Sequence, residues 1–130
     1  MRTMDDAAAR EIIRRHADEV LGFSGWAGYA SGDSQPVPCR RPEGDDSGSV
    51  HYASGSFQLI VPIDQHRSVV DRVAWGWAQR GYTVDPVTAF PDGGAKATAR
   101  TGDGFVDMTL GSGEAPAMVL VIVTDCYRLG

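Results

Sequence analysis

The chain has 130 residues, a formal charge of −5 from 12 basic and 17 acidic side chains, 42% hydrophobic residues and two cysteines. That size predicts a single soluble domain spanning residues 1–130 and excludes a two-domain enzyme, since a domain takes roughly 100–200 residues. The acidic balance excludes a nucleic-acid binder, which needs a basic stripe to displace counterions from phosphates; it suits a cationic partner, or solubility alone.

No stretch reaches the roughly 18 apolar residues of a membrane span, and the start, Met1 to Asp6, lacks the apolar core of a signal peptide. Residues 5–21 carry Ala9, Ile12, Ile13, Ala17, Val20 and Leu21 at helical spacing, which predicts an amphipathic helix. Thr3 or Asp5 can cap its start and Gly22 can stop it. A short aromatic piece, 23–29, follows. From 30 to 55 the chain is Ser, Gly, Pro, Asp and Arg with hardly an aliphatic residue, so a long surface loop carrying Cys39 is expected.

From Ser56 the period is two: Phe57, Leu59, Val61 and Ile63 fall on one face, Gln58 and Ile60 on the other, the pattern of a half-buried strand that Pro62 brings to an end. Asp64 then caps a second helix whose buried stripe is Val69, Val70, Val73, Ala74, Trp77 and Ala78, ending at Arg80-Gly81-Tyr82 with glycine at the left-handed position. Strands are expected over 83–90, 95–101 and 105–110, joined by the turn sequences Pro91-Asp92-Gly93-Gly94 and Gly102-Asp103-Gly104. The run 117–123 has no polar face and should be central, with both sheet faces covered or nearly so. The pattern predicts an α+β fold, approximately αββαβββ: a mostly antiparallel sheet with both helices packed on one face.

Catalytic constellations are missing. There is no Gly-x-Ser-x-Gly elbow, and His16, His51 and His66 form no i, i+4 metal pair, so structural or solvated roles are expected for them. Gly102-x-Gly104 joins two strands and reads as a hairpin rather than a dinucleotide loop. Asp45-Asp46, Asp103 and Asp107 read as solvated carboxylates, since no Asp-x-Asp-x-Asp-Gly calcium loop is present. No enzyme activity, cofactor or metal is expected. The aromatics say more: Trp75 and Trp77 sit two apart on a helix and point about 200° apart, so one must leave the core. Trp77 is expected inside and Trp75 outside. Cys39 and Cys126, 87 positions apart in no metal or redox spacing, are either two free thiols or one long-range disulfide.

Taken in order, the N-terminal helix, the element Pro38-Cys39-Arg40-Arg41-Pro42-Glu43-Gly44, a strand, a helix ending Trp77 to Gly81-Tyr82, the Gly102-Asp103-Gly104-Phe105 hairpin and the closing Thr124-Asp125-Cys126-Tyr127-Arg128 resemble the small cell-surface lipoproteins of actinomycetes. Among these the chain looks most similar to the lantibiotic self-protection lipoproteins encoded beside lanthipeptide gene clusters. The resemblance spans residues 5–128. It implies a Cys39–Cys126 disulfide, an extracytoplasmic location, and an N-terminal lipid anchor on the outer face of the membrane. No signal peptide or lipobox cysteine precedes Met1, so the expectation is a chain whose leader has been removed. The implied function is immunity of the producer, by binding the cationic lanthipeptide or shielding its target lipid II, with an ABC transporter possible alongside. A structural or accessory envelope lipoprotein without a peptide ligand is the alternative. From this sequence's own residues, the expected contact surface is Trp26, Tyr29 and Trp75, rimmed by Asp33, Asp45 and Asp46.

Overall fold

The computed structural model describes residues 1–40 and 49–130. Its architecture is α+β, with two helices lying over one face of a mixed, mostly antiparallel sheet. The elements are β1 (Arg2–Thr3), α1 (Asp6–Ser24), β2 (Ser31–Pro38), β3 (Val50–Ile60), a 3-10 turn (Ile63–Gln65), α2 (His66–Gln79), β4 (Thr83–Val84), β5 (Thr88–Ala89), β6 (Ala95–Arg100), β7 (Val106–Ser112), β8 (Ala117–Thr124) and β9 (Tyr127–Arg128). Strand β3 lies between β2 and β8, the sheet continues through β7 and β6, and β4 and β5 share the outer edge of β6. Strand β9 extends the β8 side along the start of β3, and β1 joins it in parallel.

Helix α1 starts where Asp5 accepts the Ala8 amide at 2.7 Å. It buries Ala9, Ile13, Ala17 and Val20, and runs past Gly22 to stop at Gly25, whose amide reaches the Leu21 carbonyl. Helix α2 lacks the expected Asp64 cap. Asp64 lies in the 3-10 turn instead, and the helix begins at His66 with no side-chain cap. Its other end is as read: Gly81 has φ +82°, Tyr82 donates to Trp77 and Gly81 to Ala78, the paired bonds of a Schellman ending.

The expected loop over 30–55 is corrected by two strands. Strand β2 pairs with β3 in register from Ser31–Gln58 to Pro38–His51, and β3 begins at Val50 rather than at Ser56. Cys39 donates its amide to Val50, so odd-numbered residues of this segment turn their amides to β3 and even-numbered ones turn outward. The outward positions 36 and 38 are prolines, which have no amide to leave unpaired, and the Ser34 amide is taken by the Asp33 carboxylate at 2.8 Å. An aliphatic-poor, proline-containing stretch therefore serves as a blunted edge strand.

The expected strand over 83–90 breaks into β4 and β5 around Pro86, with the Asp85 amide and carboxylate both held by Thr98. Strand β8 is central as expected, but only one of its faces is covered. Met118, Leu120 and Ile122 are buried under the helices, while Val119, Val121 and Val123 face the open side, where Val121 is 37% exposed. Both helices lie on the same side, and on the open face the cross-strand neighbours of Val121 are the small polar Ser56 and Thr109.

Beneath α2, His66 is fully buried. Its Nε2 donates to the Val61 carbonyl at 2.7 Å and its Nδ1 meets the Ser112 hydroxyl at 2.7 Å, tying the start of the helix to both neighbouring strand ends. Cys39 and Cys126 are disulfide-bonded across 87 positions. Among the described residues no helix is long and apolar enough to cross a membrane.

Candidate binding groove

Helix α1 passes over the β2 edge and leaves a groove of about 430 Å³ between them. Its floor is aromatic. Tyr29, in the turn after α1, donates its hydroxyl to the Ala17 carbonyl at 2.5 Å and lies tilted against Phe57 of β3, ring centroids 5.1 Å apart. Burial raises the Tyr29 hydroxyl well above its ordinary pKa, and the Asp18 charge raises it further, so it stays protonated. Phe57 can lie flat here because β2 brings Gly32 against it. A Cβ at Gly32 would come within 2.3 Å of the ring. Any larger residue at that position must displace the floor.

The rim carries both signs. Arg10 reaches from α1 to the Ser34 hydroxyl at 3.2 Å and the Asp33 carboxylate at 3.4 Å, fastening helix to edge strand. Glu11, Arg14 and Asp18 continue the helical wall. Three carboxylates face two guanidinium groups, so the groove is amphipathic with a small acidic excess.

The structure brings together only part of the expected contact surface. Tyr29 and Asp33 line the groove. Trp26 stands at the other end of the same turn, half-buried, with its Nε1 donating to the Ile60 carbonyl at 3.1 Å. Trp75 projects from α2, 68% exposed, over the β6 side of the sheet and away from the groove. Asp45 and Asp46 lie outside the described residues. Phe57, Arg10 and Gly32 belong to the groove but not to the sequence-based set. Phe57 reads as core from alternation, and the role of Gly32 emerges only once β2 is paired opposite it.

Three polar clusters lie elsewhere. Glu19 accepts from the Tyr82 hydroxyl at 3.0 Å and lies 3.2 Å from His16 Nδ1 and 3.5 Å from Arg80. Burial holds the His16 pKa below its ordinary value despite Glu19, and burial with the Glu19 bond pushes Tyr82 up to about 12. Asp6 accepts from the buried Tyr127 hydroxyl at 2.6 Å and faces His51 at 3.0 Å, bonds that lower its pKa and join α1 to the strands beside the disulfide. Among the described residues no group of three His, Cys, Asp or Glu side chains is placed to hold a metal ion.

Asp103 forms the third cluster. It accepts from the Thr101 hydroxyl, the Phe105 amide and Arg2, which hold its carboxyl at about 2. A folded pKa below the ordinary 3.8 means that this group stabilises the fold above that pH and loses its contribution as pH falls toward 2. Asp103→Asn should therefore lower the urea midpoint most above about pH 4, and the gap to wild type should close near pH 2. The effect is modest because the carboxylate is solvent-screened. A gap independent of pH across that window would remove the assignment.

No protein-family model matches the chain, and no curated protein sequence matches it. A solved structure does: the crystal structure of LppA from Mycobacterium tuberculosis, a protein named as a lipoprotein, aligns over 97% of this chain and 79% of its own, with a TM-score of 0.54 and 15% sequence identity. The two chains share a fold. At that identity the likeness speaks for architecture and leaves side-chain chemistry to each protein.

Proposed function

We propose that the chain is the folded domain of an extracytoplasmic lipoprotein, held by an N-terminal lipid on the outer face of the cell membrane, and that it protects a producing cell from its own lantibiotic. It acts by binding rather than by catalysis and uses no cofactor. The cysteine bridge supports the compartment, because such bonds persist outside the reducing cytosol. The fold shared with LppA, named as a lipoprotein, supports the class.

The observation that carries the binding role is the Tyr29–Phe57 floor edged by Glu11, Asp18 and Asp33. A cationic lanthipeptide would lay apolar side chains on the rings and its ammonium groups along the acidic edge, while Arg10 and Arg14 fix its direction by repulsion. The chain's charge of −5 speeds encounter with such a partner. Protection then follows from sequestering the peptide or screening lipid II from it, and an ABC transporter can clear what is held.

Titrating the protein with the lanthipeptide should move the NMR signals of Tyr29, Phe57 and Gly32 first. Asp33→Lys should weaken binding about fivefold at low salt, with the difference shrinking as salt rises. Unmoved groove signals at saturating peptide would discard the peptide-binding reading and leave the accessory envelope role.

A further inference from the structure

Trp75 has no part in the groove and needs its own explanation. It is the most exposed large apolar side chain among the described residues, and it projects from the solvent face of α2. Its surroundings are basic. Arg67 and Arg72 share the exposed face of α2 with a single carboxylate, Asp71, while Arg80 at the helix end turns its guanidinium over the Phe23 ring of α1, on a chain whose net charge is −5. Arg67 pairs with Asp71 at 3.1 Å and Arg80 reaches Glu19 at 3.5 Å. Arg72, one turn before Trp75, forms no ion pair among the described residues.

We propose that this face of α2 docks on an anionic phospholipid surface, with the Trp75 indole among the headgroups and Arg72 on lipid phosphate. The proposal rests on the reading of the chain as a membrane-held lipoprotein. Shape favours lipid over peptide. A ligand pocket surrounds its aromatic side chains, whereas Trp75 stands on a convex helix and lines neither the groove nor the other two cavities described for the chain. A projecting indole beside arginine is the usual furniture of a membrane interface, where the ring takes the polar boundary and the guanidinium takes phosphate.

Position agrees with chemistry. Arg2 is bonded to Asp103, and Asp103 lines one cavity with Glu19 and with Tyr82, three residues past the end of α2. A lipid attached ahead of Met1 would therefore deliver the C-terminal half of α2 toward the bilayer.

The test holds the protein by an N-terminal hexahistidine tag on vesicles carrying a nickel-chelating lipid, phosphatidylglycerol and phosphatidylcholine with brominated acyl chains. Bromine should quench tryptophan emission in the wild type and not in Trp75→Phe, the remaining indoles being buried or half-buried. Untethered protein should partition onto phosphatidylglycerol vesicles and not onto phosphatidylcholine alone. Arg72→Glu should reduce that partitioning about 25-fold, two unit charges at about fivefold each. Equal quenching in wild type and Trp75→Phe overturns the proposal, as does partitioning indifferent to lipid charge. A Trp75 emission shift caused by lanthipeptide without vesicles, with no bromine quenching, would overturn it too and assign the indole to a peptide. Asp33→Lys, which tests the groove, should leave the quenching unchanged, so the two readings fail separately.

Discussion

Replacing Cys39 and Cys126 together by serine lowers the free energy of unfolding by about 3–5 kcal/mol, a large part of the roughly 5–15 kcal/mol that holds a typical domain together. The physical source is the unfolded chain. A bridge across 87 positions removes about 4–5 kcal/mol of loop-closure freedom in the chain-entropy model, and the native contacts around it add little more. Urea denaturation of oxidised and reduced protein measures this directly. The midpoint should fall on reduction and the denaturant slope should rise, because the freed unfolded chain exposes more surface. Equal midpoints in the two redox states would show that the bridge is incidental to folding. The local consequence is also specific: reduction should loosen the β2 edge, which Cys39 closes by its amide bond to Val50, before it loosens α2.

Trp77 gives the second large effect. It is the largest fully buried side chain and sits on the α2 stripe with Val70, Val73 and Ala74. Trp77→Ala should destabilise by about 3–5 kcal/mol through lost apolar burial and the cavity left behind. Trp77→Phe should cost under about 1.5 kcal/mol, because its smaller cavity is offset by removing a buried donor. Among the described residues the Trp77 Nε1 has no hydrogen-bond partner. Thermal or urea unfolding of the two variants separates the contributions. If the phenylalanine variant were as unstable as the alanine one, the indole N–H would have to be satisfied rather than orphaned.

What the sequence made legible follows from periodicity. The α1 and α2 stripes, the Phe57 and Leu59 alternation and the apolar run of β8 are local patterns that report a buried face directly, and each lies where expected except at Ala78, which the last turn of α2 leaves exposed. The Schellman ending at Gly81 was readable for the same reason, since a glycine between a helical stripe and an aromatic residue has few other uses. Strand β2 was not legible by composition, because an edge strand buries little and its two prolines look like breakers. Their spacing was the available clue: prolines at 36 and 38 share one parity and so can share one unpaired edge. Coverage of β8 failed as an expectation because hydrophobicity alone cannot say how many layers a fold has. The groove was half legible. Tyr29 and Asp33 could be named from residue type, but Phe57 and Gly32 meet only after β2 and β3 pair, and the distance of Trp75 from them is set by which strands each helix covers.

The bridge also changes what a protease can achieve. A single cut anywhere between residues 40 and 125 divides the backbone into two pieces, one holding Cys39 and the other Cys126, and the pieces remain one covalent molecule. On a lipid-held protein the anchored N-terminal fragment would keep the rest of the domain at the cell surface. Shedding would then require reduction as well as cleavage, or a cut ahead of Cys39, where no bridge spans the break.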